Sequence, residues 1–242
     1  MVPRVANRVL SVSAILAALL VVSAAVAVWS ARRGADGPPG TTLERLARYG
    51  QVPAFTLVER SGRRIGRDDL HRFVWVADFI YTECTETCPT QSLEFARLQR
   101  EFERATDLRL VSFTVDPVHD TPEVLRRYAE RYGAGARWWF LTGDKREIYC
   151  LAKQGFRLSV VDSAATEPPA CGRVFRLGPA PAWASHGSKG LVMHSARVVL
   201  VDRTGQIRAY HVAAEPVSMS SLLSNLRALL AERTAPGSGD AR

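Results

Sequence analysis

The sequence has no long basic block interleaved with aromatics, no internal repeat, and no acidic residue before Asp36. The first absence leaves nucleic-acid binding without support, and the second removes repeat arrays from consideration. The third means that the formal charge of +8 overstates the folded part. Arg4, Arg8, Arg32 and Arg33 flank an apolar N-terminal segment, so the remainder carries 28 of the 32 basic residues against all 24 acidic ones, a net +4. That is an ordinary protein surface. With 242 residues and 47% hydrophobic content, the chain can bury one sizeable core, and one main domain is expected.

Charge is missing altogether from Val9 to Trp29, a run of 21 residues. As a helix it would rise about 30 Å, enough to cross a bilayer core. Trp29 followed by Arg32 and Arg33 suits an interfacial anchor. A cleaved secretory signal with Ala25-Val26-Ala27 as its cleavage site is the rival reading, and a buried soluble helix is a third. The first two send the rest of the chain across a membrane, to the periplasm or an equivalent oxidising space. The expected organisation is an anchor or signal over 1–33, a Gly- and Pro-rich linker over 34–50, a folded domain over 51–233, and a disordered tail over 234–242.

Within the domain, Thr42 to Tyr49 reads as a short helix, and Pro53 to Glu59 with Arg63 to Ile65 as a hairpin around Ser61-Gly62. Strands are then expected at Phe73–Tyr81, Leu108–Val115 and Trp138–Leu141. Helices alternate with them at Thr90–Thr106 (Leu93, Leu98 and Phe102 inward), Pro122–Tyr132 (Asp120 or Thr121 as cap) and Lys145–Gln154. This alternation implies a parallel sheet. A second hairpin, Gly190–Val201 with Gln206–Val212, and a closing helix Pro216–Glu232 complete the pattern. A βαβ half followed by a ββα half gives an α/β, thioredoxin-like fold, interrupted by a long Pro-rich insertion over 157–189.

Cys84 and Cys88 stand where the first apolar strand gives way to a helix. Backbone N–H groups and the helix dipole at such a place favour thiolate. On a helix the pair would share one face at i and i+4, close enough to bridge or to bind one ion. Three intervening residues exceed the usual redox spacing of two, and Glu83 and Glu86 oppose thiolate formation while welcoming a cation. Disulfide exchange, soft-metal binding and a static disulfide all remain open on this spacing. Two thiolates under-coordinate a metal, so the histidines matter. His71 and His211 read as surface or edge residues, His119 as a turn residue, and His186 falls in the insertion. His194 stands where the insertion enters the second hairpin. That loop faces the cysteine turn in a thioredoxin fold, which makes His194 a candidate third ligand against a satisfied loop histidine.

Taken together, the motifs Tyr81-Thr82-x-Cys84-x-x-x-Cys88-Pro89, Val115-Asp116-Pro117-x-x-Asp120-Thr121-Pro122, Leu141-Thr142-Gly143-Asp144, His194-Ser195 and Asp202-x-x-Gly205 resemble the Sco/SenC family. The resemblance runs from about Val52 to Leu230. Members of that family are membrane-anchored, thioredoxin-like copper proteins that serve cytochrome c oxidase assembly. It implies Cys84, Cys88 and His194 as copper ligands, for Cu(I), Cu(II) or both. Soft thiolates suit Cu(I), and imidazole suits both states. The implied task is to pass copper, or reducing equivalents, to the dinuclear copper site of an oxidase subunit. An upstream copper donor or thiol reductant is the other partner this task calls for.

Cys150 and Cys171 lie outside the ligand set that the resemblance implies. A Cys150–Cys171 disulfide pinning the insertion is the plain reading, with two free thiols or a second metal site as alternatives. Met193 beside His194 is either a packed apolar side chain or a weak thioether ligand. The alternative function is an extracytoplasmic thiol–disulfide oxidoreductase in which Cys84 and Cys88 are the redox pair and His194 is expendable. A blander one is an anchored scaffold with a static disulfide.

Overall fold

The computed structural model describes residues 21–24, 26, 45–158, 160–162, 171, 191–193 and 197–232. The chain divides into two compact units, residues 1–42 and 43–242. In the first, residues 21–24 and 26 are helical, and Val21, Val22 and Val26 are exposed. No helix among the described residues is long and apolar enough to cross a membrane. Most of Val9–Trp29 lies outside the described residues, as do His186, His194 and the tail from residue 233.

The second unit is built on an eight-stranded mixed sheet. Its strands are β1 (Gly50–Gln51), β2 (Thr56–Glu59), β3 (Arg64–Gly66), β4 (Val74–Ile80), β5 (Leu108–Thr114), β6 (Trp138–Thr142), β9 (Arg197–Val201) and β10 (Gln206–Val212). Between β6 and β9 in sequence, β7 (Val160–Asp162) and β8 (Leu191–Met193) pair separately as a two-stranded sheet. The order across the large sheet is β1-β10-β9-β4-β5-β6-β2-β3. β4, β5 and β6 are parallel, and β9, β10 and β2 run antiparallel to their neighbours. The connections are α1 (Thr87–Glu101) and α2 (Pro122–Arg131); α3 (Lys145–Cys150) follows β6, and α4 (Pro216–Ala231) closes the unit. The expected βαβ and ββα halves are therefore both present around one sheet.

β4 is buried at every position because both its faces are covered. Trp75, Ala77 and Phe79 face one core layer with Val111, Phe113 and Phe156. Val74, Val76 and Ile80 face the other, against Phe95 of α1, Tyr128 of α2 and Leu222, Leu226 and Leu229 of α4. Each Val, Leu, Ile or Phe side chain among them contributes about 1.5–3 kcal/mol by leaving water. Thr121 caps α2 by accepting the Val124 N–H at 3.4 Å, and Pro122 occupies the first turn, where a missing N–H costs nothing.

Several expectations need correction. Residues 45–49 are not helical; the Ala47 and Tyr49 N–H groups instead bond the Arg208 and Ile207 carbonyls, leading into edge strand β1. α1 starts at Thr87, and its buried stripe is Cys88, Gln91, Ser92, Phe95, Ala96 and Leu98. Leu93 lies off that stripe and is 56% exposed. The expected helix Lys145–Gln154 becomes a π-helical turn over Leu151–Gly155. Gly190–Val201 is two strands in different sheets rather than one. His211 is buried rather than exposed at an edge: it pairs with Val198 of β9, and Asn225 Nδ2 of α4 stands 3.4 Å from its Nε2.

Candidate metal centre

The chain leaves the sheet after Ile80, and Tyr81 begins the turn that carries the first cysteine. The Cys84 N–H closes this turn on the Tyr81 carbonyl at 3.2 Å. Because α1 begins at Thr87, Cys88 is its second residue and Cys84 precedes it. The two cysteines therefore do not share a helical face. Glu86, the cap residue, makes no side-chain capping bond. The Cys84 sulfur takes that role, accepting the Cys88 N–H at 3.4 Å and the Glu86 N–H as well. Negative charge on that sulfur is further favoured by the helix dipole.

The two thiols are free and differ in environment. Cys84 is half-buried, whereas Cys88 is 2% exposed. Burial opposes ionisation of Cys84. Hydrogen bonds from the Cys88 side chain and backbone, the Glu86 backbone and the Tyr81 phenol outweigh it and bring the thiol below its ordinary pKa. Burial pushes Cys88 strongly upward, and its bond to the Cys84 sulfur adds to the rise, against a backbone bond from Tyr81. Of the two thiols, half-buried Cys84 is therefore the one that ionises more readily, and Cys88 the one that holds its proton longer. Tyr81 touches both sulfurs, through its phenol and its backbone N–H, and its own pKa is pushed up to about 12 by burial and by the cysteines.

Beneath the turn lies a polar cluster from three segments. Asp120, 1% exposed, accepts the Thr82 N–H at 3.1 Å and the hydroxyls of Thr82 and Thr114. Burial raises its pKa while those bonds oppose the rise. Thr114 also receives the Asp116 N–H at 3.0 Å, and His119 Nδ1 lies 2.9 Å from Asp116 Oδ2. His119 is thus engaged with Asp116 in a turn. Asp78, fully buried in β4, points to the same side of the sheet as Cys88 and helps keep that thiol protonated. Tyr81 stands in the first sequence motif without a role attached to it; Asp78 lies outside the motifs, although an aspartate inside the otherwise apolar Val74–Ile80 run is a visible signal.

Among the described residues no group of three or more His, Cys, Asp or Glu side chains is placed to hold a metal. The described donors are the two sulfurs; His194 lies outside the described residues, one position after β8 ends at Met193. A groove of about 550 Å³ lies elsewhere, between α1 and the start of α4, and neither cysteine lines it. Cys150 and Cys171 form a disulfide with Cα atoms 5.4 Å apart, and Gln154 Nε2 donates to the Cys171 carbonyl at 2.8 Å. This bond ties the end of α3 to the segment between β7 and β8. The chemistry of Cys84 and Cys88 fits a soft ion: two sulfurs hydrogen-bonded to each other, one half-buried and one buried, just beyond the C-terminal end of central strand β4. The same pair fits disulfide exchange.

Known proteins are similar to this chain in sequence or in fold. A "Putative copper-binding protein" of Stutzerimonas stutzeri is 30% identical over 179 residues, covering 73% of this chain and 76% of that protein. The "SCO1 protein homolog" of Bacillus subtilis (strain 168) is 34% identical over 113 residues, covering 46% of this chain. The chain spans 58% of that relative's length. Among solved structures, BsSco, described as having a disulfide switch and belonging to the Sco family of cytochrome c oxidase assembly proteins, aligns with a TM-score of 0.59 at 25% identity, covering 78% of this chain and 97% of that one. The copper-bound ScoI of Bradyrhizobium japonicum shares the fold, with a TM-score of 0.56 at 19% identity over 74% of this chain and 99% of that one. The SCO1/SenC family profile matches residues 45–231, and the chain belongs to that family.

Proposed function

We propose that this protein binds copper through Cys84, Cys88 and His194. It then delivers the ion, or reducing equivalents, for assembly of the dinuclear copper site of cytochrome c oxidase. The observation that carries the reading is the sulfur pair: Cys84 accessible and favouring the thiolate, Cys88 buried and hydrogen-bonded to it. A copper donor needs soft ligands on an open side, so that an acceptor's thiol can enter as the donor's ligands leave. A closed four-ligand site would not release its ion so readily. Binding requires both cysteines reduced, so uptake is coupled to redox state. The copper-binding relative and the copper-bound structure of the same fold support the choice of metal. The proposed setting is the periplasm or its equivalent, with Val9–Trp29 as a single-pass anchor.

The same asymmetry favours one alternative, thiol–disulfide exchange on the cysteines of an apo-metalloprotein. Cys84 would attack and Cys88 would resolve the mixed disulfide. His194→Ala separates the two. Lost copper affinity with intact disulfide exchange supports the copper carrier. Intact copper binding with lost exchange overturns it.

A further inference from the structure

We infer that Asp120 is a positioning residue for Cys84, because it orients the Tyr81–Thr82 peptide whose carbonyl closes the turn on the Cys84 N–H. The two ends of that peptide carry the argument. Its N–H, on Thr82, donates to Asp120 Oδ2 at 3.1 Å, and its carbonyl, on Tyr81, accepts from Cys84 at 3.2 Å. The plane of a peptide cannot rotate at one end alone. The neighbouring Ile80–Tyr81 peptide is held in the same manner: its carbonyl accepts the Val115 N–H at 2.8 Å, and its N–H points to the Cys88 sulfur. Val115, just after β5, thus fixes one peptide and Asp120 the next, and the Tyr81 groups that reach both thiols lie between them.

The hydroxyl groups strengthen the hold. Thr82 contributes a second bond, through its side chain, to the other oxygen of Asp120, and Thr114 at the end of β5 contributes a third. A carboxylate accepts on both oxygens, so it can take three donors at once. No arginine, lysine or histidine of the described residues pairs with Asp120; the charged group that acts on it is Asp116, of like sign. A buried acid whose partners among the described residues are hydroxyl and amide donors is suited to fixing a backbone rather than to binding a cation. The consequence reaches both sulfurs, because Tyr81, inside the clamped segment, donates its phenol to Cys84 and its N–H to Cys88. These donors stabilise the reduced pair.

The inference deepens the thiol-pair reading above, but its test uses metal-free protein and does not depend on copper. In a glutathione redox buffer, two glutathione thiols pass two electrons and two protons to the Cys84–Cys88 disulfide. The products are two protein thiols and glutathione disulfide. The equilibrium is read by mass spectrometry of the alkylated peptide bearing Cys84 and Cys88, so that Cys150–Cys171 is scored separately. Asp120→Ala should move the equilibrium about tenfold toward the protein disulfide, a potential about 30 mV more negative. Asp120→Asn should restore it to within about threefold of the parent, since an amide can keep the Thr82 N–H bond while carrying no charge. Thr82→Val serves as a second variant, expected to shift in the same direction, should Asp120→Ala fail to fold. An unchanged equilibrium in the folded Ala and Val proteins, with only their melting temperatures lowered, would reduce Asp120 to a structural residue and overturn the inference. An Asn variant shifted as far as Ala would overturn it too, by assigning the effect to charge.

Discussion

Replacing Asp78 by asparagine tests the electrostatics of the core beneath the thiols. Asp78 is fully buried in β4, and neither carboxyl oxygen has a well-aligned hydrogen-bond partner among the described residues. Burial raises its pKa from 3.8 to about 7, and the Ser112 hydroxyl, opposite it in register and itself receiving the Trp138 indole N–H at 2.9 Å, offsets only part of the rise. The folded pKa exceeds the unfolded one, so the native state binds the proton more tightly. The associated stability is complete below about pH 4, is lost as pH climbs through about 7, and is constant above that. A displacement of about three pH units corresponds to roughly 4 kcal/mol, an upper limit given relaxation of the core. The substituted amide would mimic the neutral acid at every pH. Parent and Asp78→Asn should therefore have similar stability near pH 4, with the variant gaining up to about 4 kcal/mol by pH 8. Urea denaturation of both metal-free proteins at about pH 4.5, 6, 7 and 8, with Cys84 and Cys88 in one redox state, measures the difference and cancels groups common to both. A difference that stays flat across this range would refute the reasoning.

The asymmetry of the thiols predicts that iodoacetamide at neutral pH modifies Cys84 well before Cys88 in the reduced, folded protein, as read by peptide mass. Equal rates would contradict the placement of the two sulfurs. The Cys84 rate should rise with pH through a midpoint below that of an ordinary cysteine, given the direction of its shift. Removing the Cys150–Cys171 disulfide by Cys150→Ser and Cys171→Ser together releases a loop of 21 residues' separation, and should cost about 3 kcal/mol by the chain-entropy account. Urea midpoints without reductant check this; a loss well under about 1 kcal/mol would mean that the bond constrains little of the unfolded chain.

Local pattern and long-range partnership were legible to different degrees. The alternation of apolar strands with capped helices revealed β4, α1, β5, α2 and β6 because each signal lies within one short window. Thr121, followed by Pro122, marked the start of α2 by the same local chemistry. Leu93 was misplaced because it lies five residues from Leu98, a spacing that does not repeat on one helical face, whereas Cys88, Gln91, Ser92, Phe95 and Ala96 follow the three-and-four rule. His211 reads as an exposed edge residue because nothing near it announces that Asn225 of α4, fourteen residues later, comes to lie beside it. Cys84 lies outside α1 with its sulfur accepting the Cys88 and Glu86 N–H groups, a capping role for which spacing carries no signal. Asp120 was visible as a candidate helix cap, but its partners Thr82 and Thr114 lie on two other segments, so its hold on the cysteine turn emerges only once β4 and β5 are paired.

The central claim is that the reduced Cys84–Cys88 pair is a copper site completed by His194, and anaerobic copper titration of the reduced protein tests it most directly. Absorption spectra on addition of Cu(II) should show sulfur-to-copper charge transfer, with a Cu(II) electron paramagnetic resonance signal, saturating at one copper per chain, absent in Cys84→Ser and weakened in His194→Ala. No copper uptake by the fully reduced parent, or uptake unchanged by Cys84→Ser, would contradict the account.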